Sequence, residues 1–182
     1  MSKANGVASE DNVRATKPDH PKTVSEKSRV AGSDCSKTEV TTMDVALVVD
    51  DEPANRDFLL RLLEQAKLTV HGASTAAEAC AIASQQERID LLVVDNKLPD
   101  NDGVDLMSAL HEKHPNACVV MATMLDERAL MAKAFENGCD VFLVKPHGFM
   151  ELFRRIQVMK TTGENTLKCM VIDQYGPRPY RG

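Results

Sequence analysis

Five side chains suited to handling a charged group stand at the ends of apolar runs in this sequence. They are Asp50 and Asp51 after residues 45–49, Asp95 after 91–94, Thr123 after 117–122, and Lys145 after 141–144. Taken singly, each has an ordinary role as a loop cap, a core neighbour or a solvated strand-end charge. Taken together they describe a site. Three carboxylates in one small space repel one another unless a cation sits among them. An all-oxygen ligand set with room for water suits magnesium far better than zinc. A lysine opposite such a metal holds an anionic group between two positive charges, and a threonine hydroxyl donates to the same group. This is apparatus for phosphoryl transfer onto a carboxylate, with Asp95 as nucleophile and the metal, Lys145 and Thr123 neutralising the transferred oxygens.

The elements that must position these groups follow from the apolar pattern. Residues 45–49, 91–94, 117–122 and 141–144 are continuous apolar runs, which read as short strands buried on both faces. Residues 69–73 form a weaker, more polar strand suited to a sheet edge. Amphipathic stretches alternate with them. Pro53 opens the first helix, where its missing N–H costs nothing, and Phe58, Leu59, Leu62, Leu63 and Ala66 form its apolar stripe. Thr75 with Glu78 is a capping box for the second helix. Asp102-Gly103 leads into the third, which must stop before Pro115. Asp126 is expected to cap the fourth, and Asn137-Gly138 to supply its left-handed end. The last carries Phe149, Leu152, Phe153, Ile156 and Met159 inward. Five strand-then-helix repeats with apolar strands mean an α/β fold, a parallel sheet covered on both faces. In such sheets ligands bind outside the carboxyl ends of the strands, the rim on which the five side chains converge. No Gly-x-Gly-x-x-Gly follows any strand and no P-loop motif occurs, which argues against nucleotide binding.

Composition sets the outer bounds. The 182 residues carry a net charge of -5, which gives no nucleic-acid footprint. Residues 44–160 hold 12 Lys and Arg against 19 Asp and Glu, so the acidic surplus sits in the folded part. Five cysteines without a C-x-x-C pair fit a reducing compartment, with Cys118 and Cys139 as small core residues. There is no signal-peptide h-region and no apolar stretch near the roughly 18 residues a membrane span needs, so a cytoplasmic chain without a membrane partner is expected. Residues 1–43 show no apolar face at either period and are expected to be a disordered tail; 44–160 form the domain and 161–182 an extension.

Four segments carry a resemblance to a known family. They are Val48-Val49-Asp50-Asp51-Glu52-Pro53; Val93-Val94-Asp95 through Leu98-Pro99 to Asp102-Gly103; Gly138-Cys139-Asp140; and Leu143-Val144-Lys145-Pro146. Over about residues 44–160 the chain resembles the receiver domain of two-component response regulators. The resemblance implies a flavodoxin-like (βα)5 sheet of order 2-1-3-4-5, and a phosphoacceptor switch rather than a turnover enzyme. It implies that Asp51 and Asp95 ligate Mg2+ directly with the backbone carbonyl of Lys97, and that Asp50 acts through water. Lys145 would pair with the phosphoryl group, and Lys145-Pro146 would be a cis peptide. Thr123 would follow the phosphate inward, and Phe142 would occupy the aromatic switch position. The implied donor is a histidine kinase or phosphotransfer protein, and the implied target a downstream protein.

Departures from the family pattern qualify that implication. Met124 follows the switch threonine where the family usually has Ala or Gly, which is expected to narrow access to Asp95. Lys97 places a positive charge two residues past the nucleophile. The 22 residues after Lys160 are too few for a recognisable output domain, which suggests a stand-alone receiver. Two alternatives remain: a receiver-like module that signals without phosphorylation, and an aspartyl-phosphate hydrolase of the haloacid dehalogenase type. The second needs Asp-x-Asp after the first strand, where Glu52 occupies the third position, and would use Asp50 as nucleophile. In the extension, residues 167–172 are a strand-forming run. A right-handed crossover would lay it parallel to residues 141–144 at the free sheet edge; the alternative is an arm-exchanged homodimer.

Overall fold

The computed structural model describes residues 43–182; the expectation for the tail at 1–42 lies outside the described residues. Seven strands form one sheet of order β2-β1-β3-β4-β5-β6-β7. The elements are β1 (Val45–Val49), α1 (Pro53–Gln65), β2 (Thr69–Ala73), α2 (Ala76–Gln85), β3 (Leu91–Asp95), α3 (Gly103–Lys113), β4 (Cys118–Thr123), α4 (Arg128–Glu136), β5 (Val141–Val144), α5 (Gly148–Thr162), β6 (Met170–Asp173) and β7 (Gly176–Pro179). All neighbours from β2 through β6 pair in parallel, and β7 returns antiparallel to β6. The first five strands are the flavodoxin-like arrangement, and the more polar β2 lies at its edge as expected.

Alternation along each strand divides the core into two layers. Ala46, Val48, Leu91, Val93, Val120 and Leu143 pack with the apolar stripes of α1 and α5. Leu47, Val49, Leu92, Val94, Met121 and Phe142 pack with α2, α3 and α4. Met43, just ahead of β1, is buried in the first layer. At the lower end of the sheet the buried Asp90 carboxylate accepts from the backbone N–H groups of Asp44 and Val45, fixing the start of β1 beside β3. Cys118 and Cys139 are buried, and burial pushes the Cys139 thiol up to about 12.

Local rules account for most boundaries. Pro53 is the first residue of α1, and the Thr75 hydroxyl accepts from the Glu78 N–H at the start of α2. Glu78 reaches back to the N–H of Ser74, one residue earlier than a strict capping box requires. Asn137 is the C-cap of α4, and Gly138 adopts φ +90. The expectation that Asp126 caps α4 is corrected: Glu127 is the N-cap, with no side-chain bond, and the helix begins at Arg128. The Thr123 hydroxyl accepts from the Leu125 N–H, which holds the chain in a turn above the sheet and delays the helix.

The extension folds back on its own sheet. Residues 141–143 pair in register with 170–172, so the parallel added strand is intramolecular. The strand is shorter than the apolar run at 167–172, because Cys169 adopts φ +48 and breaks it. Leu167 instead drops into the core, where its carbonyl accepts from the Cys118 thiol. β7, not foreseen in the sequence, closes a hairpin through Asp173, whose carboxylate accepts from the Tyr175 N–H and pairs with Arg178 at 2.7 Å.

Two outcomes test this architecture. Truncation after Thr162 removes Leu167, Val171 and Ile172, all fully buried. At about 2 kcal/mol per side chain this costs about 6 kcal/mol. It also bares the β5 edge, so amide exchange at residues 141–144 should accelerate and the chain should self-associate in size exclusion. Unchanged protection would mean that the hairpin does not hold β5. Secondly, a Cβ built on Gly103 would stand 2.0 Å from the Asp95 carbonyl oxygen and 2.7 Å from the Asn96 Cα. Gly103→Ala should therefore displace the β3 terminus and cost about 1–3 kcal/mol in denaturant unfolding.

Candidate functional site

The site is assembled by strand ends. β1, β3, β4 and β5 are adjacent, and each delivers its side chain as it leaves the sheet at the same rim. Lys145 follows β5 and lies buried, with its Nζ 2.6 Å from Asp50 Oδ2 and 2.9 Å from Asp95 Oδ2. Asp51 completes the group: one carboxylate oxygen from each of Asp50, Asp51 and Asp95 lies within 4.8 Å of the others. The sequence-predicted acids and lysine therefore meet in one place.

Their environments differ in ways that divide their capacities. Both oxygens of the buried Asp50 are engaged, Oδ1 by the Glu52 N–H and Oδ2 by Lys145. Asp51 is exposed, with no hydrogen bond or ion pair among the described residues. Asp95 lies between the two: burial pushes its carboxyl above the ordinary range, while the hydrogen bond and charge of Lys145 pull it the other way. Three oxygen donors, one with no protein partner, form a set that fits a hard divalent cation and not a thiophilic one.

The remaining predicted residues surround this centre. Thr123 is buried at the end of β4; its carbonyl accepts from the Lys145 N–H at 2.8 Å, and its hydroxyl is committed to Leu125. Phe142 is fully buried, in register between Met121 and Val171. Lys97 is exposed in the β3–α3 loop, where it bridges to Asp102. Met124 is 66% exposed, on the turn above the rim. The Lys145-Pro146 peptide is cis.

Three residues escaped sequence reasoning. Arg56 donates from Nη1 to the Asp50 carbonyl at 2.7 Å. A cation in the first turn of α1, where the helix dipole disfavours it, was the available sign of a local partner. Asp100 accepts from the Ala76 and Ala77 N–H groups, which hold its carboxyl below the ordinary range and tie the β3–α3 loop to the start of α2. Asn96 Oδ1 is buried beside Asp95 without a partner among the described residues, and nothing in the sequence marked it.

Comparison with known proteins places this geometry. The "Response regulator receiver domain" profile matches residues 46–157. The transcriptional regulatory protein SrrA of Staphylococcus aureus is 31% identical over 120 residues, 66% of this chain and 49% of that protein. The chain thus spans about half the length of the curated relatives it matches. A CheY-like receiver domain protein from Methanospirillum hungatei is 26% identical with a TM-score of 0.60, covering 67% of this chain and 97% of that one. A Burkholderia pseudomallei response regulator, solved with a phosphorylated aspartic acid, calcium ion and citrate, is 26% identical with a TM-score of 0.58. That match covers 65% of this chain and 69% of the other. Receivers of this kind are phosphoacceptor switches that hold Mg2+ on a cluster of aspartates. With the matched profile lying over the sheet that carries the acidic rim, this chain belongs to the response regulator receiver domain family.

Proposed function

We propose that Asp95 accepts a phosphoryl group from the phosphohistidine of a histidine kinase or phosphotransfer protein, and that the resulting change alters binding of a downstream protein. The observation that carries this reading is the Lys145 ammonium held at 2.6 and 2.9 Å between Asp50 and Asp95, with Asp51 open beside them. In the transfer, an Asp95 carboxylate oxygen bonds to phosphorus as the phosphorus–nitrogen bond of the donor breaks, leaving an acyl phosphate. Lys145 moves from carboxylate to phosphoryl oxygen, so its charge stabilises the product without crossing a solvent boundary. Asp51 and Asp95, with the Lys97 carbonyl, would hold Mg2+, and Asp50 would act on it through water, a division supported by the prior commitment of both Asp50 oxygens. Bound Mg2+ supplies charge neutralisation for the transferred oxygens.

Thr123 and Phe142 are the switch in this reading. The Thr123 hydroxyl accepts from the Leu125 N–H and keeps its own O–H to donate to the phosphoryl group, so a movement of Thr123 toward that group would draw on the turn before α4. The phosphorylated aspartic acid of the Burkholderia pseudomallei relative supports the acceptor assignment. The chain acts on itself and does not turn over a substrate. Its partners are proteins, in keeping with the acidic balance of residues 44–160.

Incubation with Mg2+ and a phosphodonor, followed by borohydride trapping and mass spectrometry, should locate the modification on Asp95, and Asp95→Asn should abolish it. Label on Asp50 would overturn the assignment. Met124, standing over the approach, should slow attack by water and by acetyl phosphate alike. Met124→Ala is therefore expected to raise both rates several-fold in stopped assays, and two unchanged rates would show that the side chain lies clear of the path.

A further inference from the structure

The β6–β7 hairpin occupies the outer side of β5 and makes a new outer surface. Its own free edge is poor at recruiting another strand. The Tyr180 N–H donates inward to the Cys169 carbonyl at 2.7 Å, so by alternation the Arg178 backbone faces inward too. Positions 177 and 179 then face outward, and both are proline, with no N–H to offer. Strand addition at this edge is blocked over those residues. Whatever binds here must do so through side chains.

Between this hairpin and α4 lies a groove of about 680 Å³. Met131, Ala132, Pro179 and Tyr180 give it apolar walls, and the Tyr180 ring is fixed by stacking on Phe135 of α4 at 4.0 Å and 12°. Its charged side chains are Arg128, Arg178 and Arg181 against Asp126, and Gly182, which bears the terminal carboxylate of this 182-residue chain, also lines it. Arg178 is neutralised by the buried Asp173, but Arg128 and Arg181 are exposed and have no carboxylate partner among the described residues. Arg128 is the first residue of α4, after the N-cap Glu127, whose side chain makes no capping bond. Three arginines in one apolar-walled groove are a local concentration of basic side chains on a domain with 19 acidic against 12 basic residues. Preformed concavity, a rigid aromatic wall and free arginines are the features that recognise a carboxylate-rich segment carrying an apolar anchor.

We propose that the groove between α4 and β7 is a docking site for an acidic peptide segment of a partner protein, whose apolar side chain enters between Met131 and Tyr180 while its carboxylates pair with Arg128 and Arg181. The site stands apart from the acidic rim and does not require Asp95 to be phosphorylated.

The test uses the full chain, immobilised and panned against a phage-displayed library of random peptides. Recovered peptides should be enriched in Asp and Glu flanking a Leu, Ile or Phe. Synthetic versions should shift the amide resonances of Arg128–Glu136 and of residues 178–181. Arg128→Glu with Arg181→Glu should weaken them ten-fold or more with an unchanged far-UV spectrum, and the corresponding Lys double variant should retain most of the binding. The proposal is overturned if no peptide is enriched, if recovered peptides lack acidic residues, or if they bind the Glu double variant equally well. It is equally overturned if the shifts fall elsewhere, or if the two charge reversals abolish only a self-association seen in size exclusion, which would make a second copy the occupant.

Discussion

A single buried ammonium holds this rim together. Lys145 Nζ lies between Asp50 and Asp95, both of which are carried on strands remote from it in sequence. Removing one partner from such a buried group leaves an uncompensated charge costing roughly 3–5 kcal/mol, so the three strand ends are fixed relative to one another by electrostatics as well as by packing. Yet the compensation is incomplete. One cation faces two carboxylates directly, a third carboxylate lies within 4.8 Å of those two, and burial holds the Asp95 carboxyl above the ordinary range despite the bond and charge of Lys145. The site is built with a deficit of positive charge, which a divalent cation corrects and which an added phosphoryl group would restore.

The backbone is shaped to keep Asp95 in this field. Gly103 lies so close to the Asp95 carbonyl that no side chain fits, and its N–H donates to the Asn96 carbonyl at 2.9 Å. The loop is fastened at its far side by Asp100 on the start of α2. Asp95 thus has its main chain clamped on one side and its side chain paired on the other, which would lower the reorganisation needed for the proposed transfer.

How much of this was legible follows from what kind of signal each feature leaves. Continuous apolar runs can only be buried on both faces, so the parallel sheet, its strand order at β2 and the convergence of Asp50, Asp51, Asp95 and Lys145 were readable from pattern alone. Contacts that depend on three-dimensional approach were not. Asp102-Gly103 reads as the entry to a helix, but the sequence does not show that a Cβ at 103 would stand 2.0 Å from the Asp95 carbonyl oxygen. Asp126 has the chemistry of a cap, but the bond from Leu125 to Thr123 takes the chain past it before α4 starts. Pro177 and Pro179 argue against a strand in the sequence; β7 accepts them because only their outward, unpaired side lacks the donor.

The same hairpin changes what the switch residues are connected to. Phe142 has Met121 on one side and Val171 on the other, and it is fully buried beneath α4. An aromatic ring at an open edge can change rotamer at little cost, but a ring enclosed by a paired strand cannot move without displacing close-packed neighbours. Thr123 has no such enclosure on its loop side, since Met124 is exposed and one hydrogen bond to Leu125 holds the turn. On the proposed reading, a displacement originating at Asp95 would meet least resistance along the turn into α4. That helix is in turn tied to β7 through the Phe135–Tyr180 stack. With the β5 edge covered, a rotation of Phe142 would have to carry α4 and the hairpin with it, because packed interfaces shift as units rather than deform continuously.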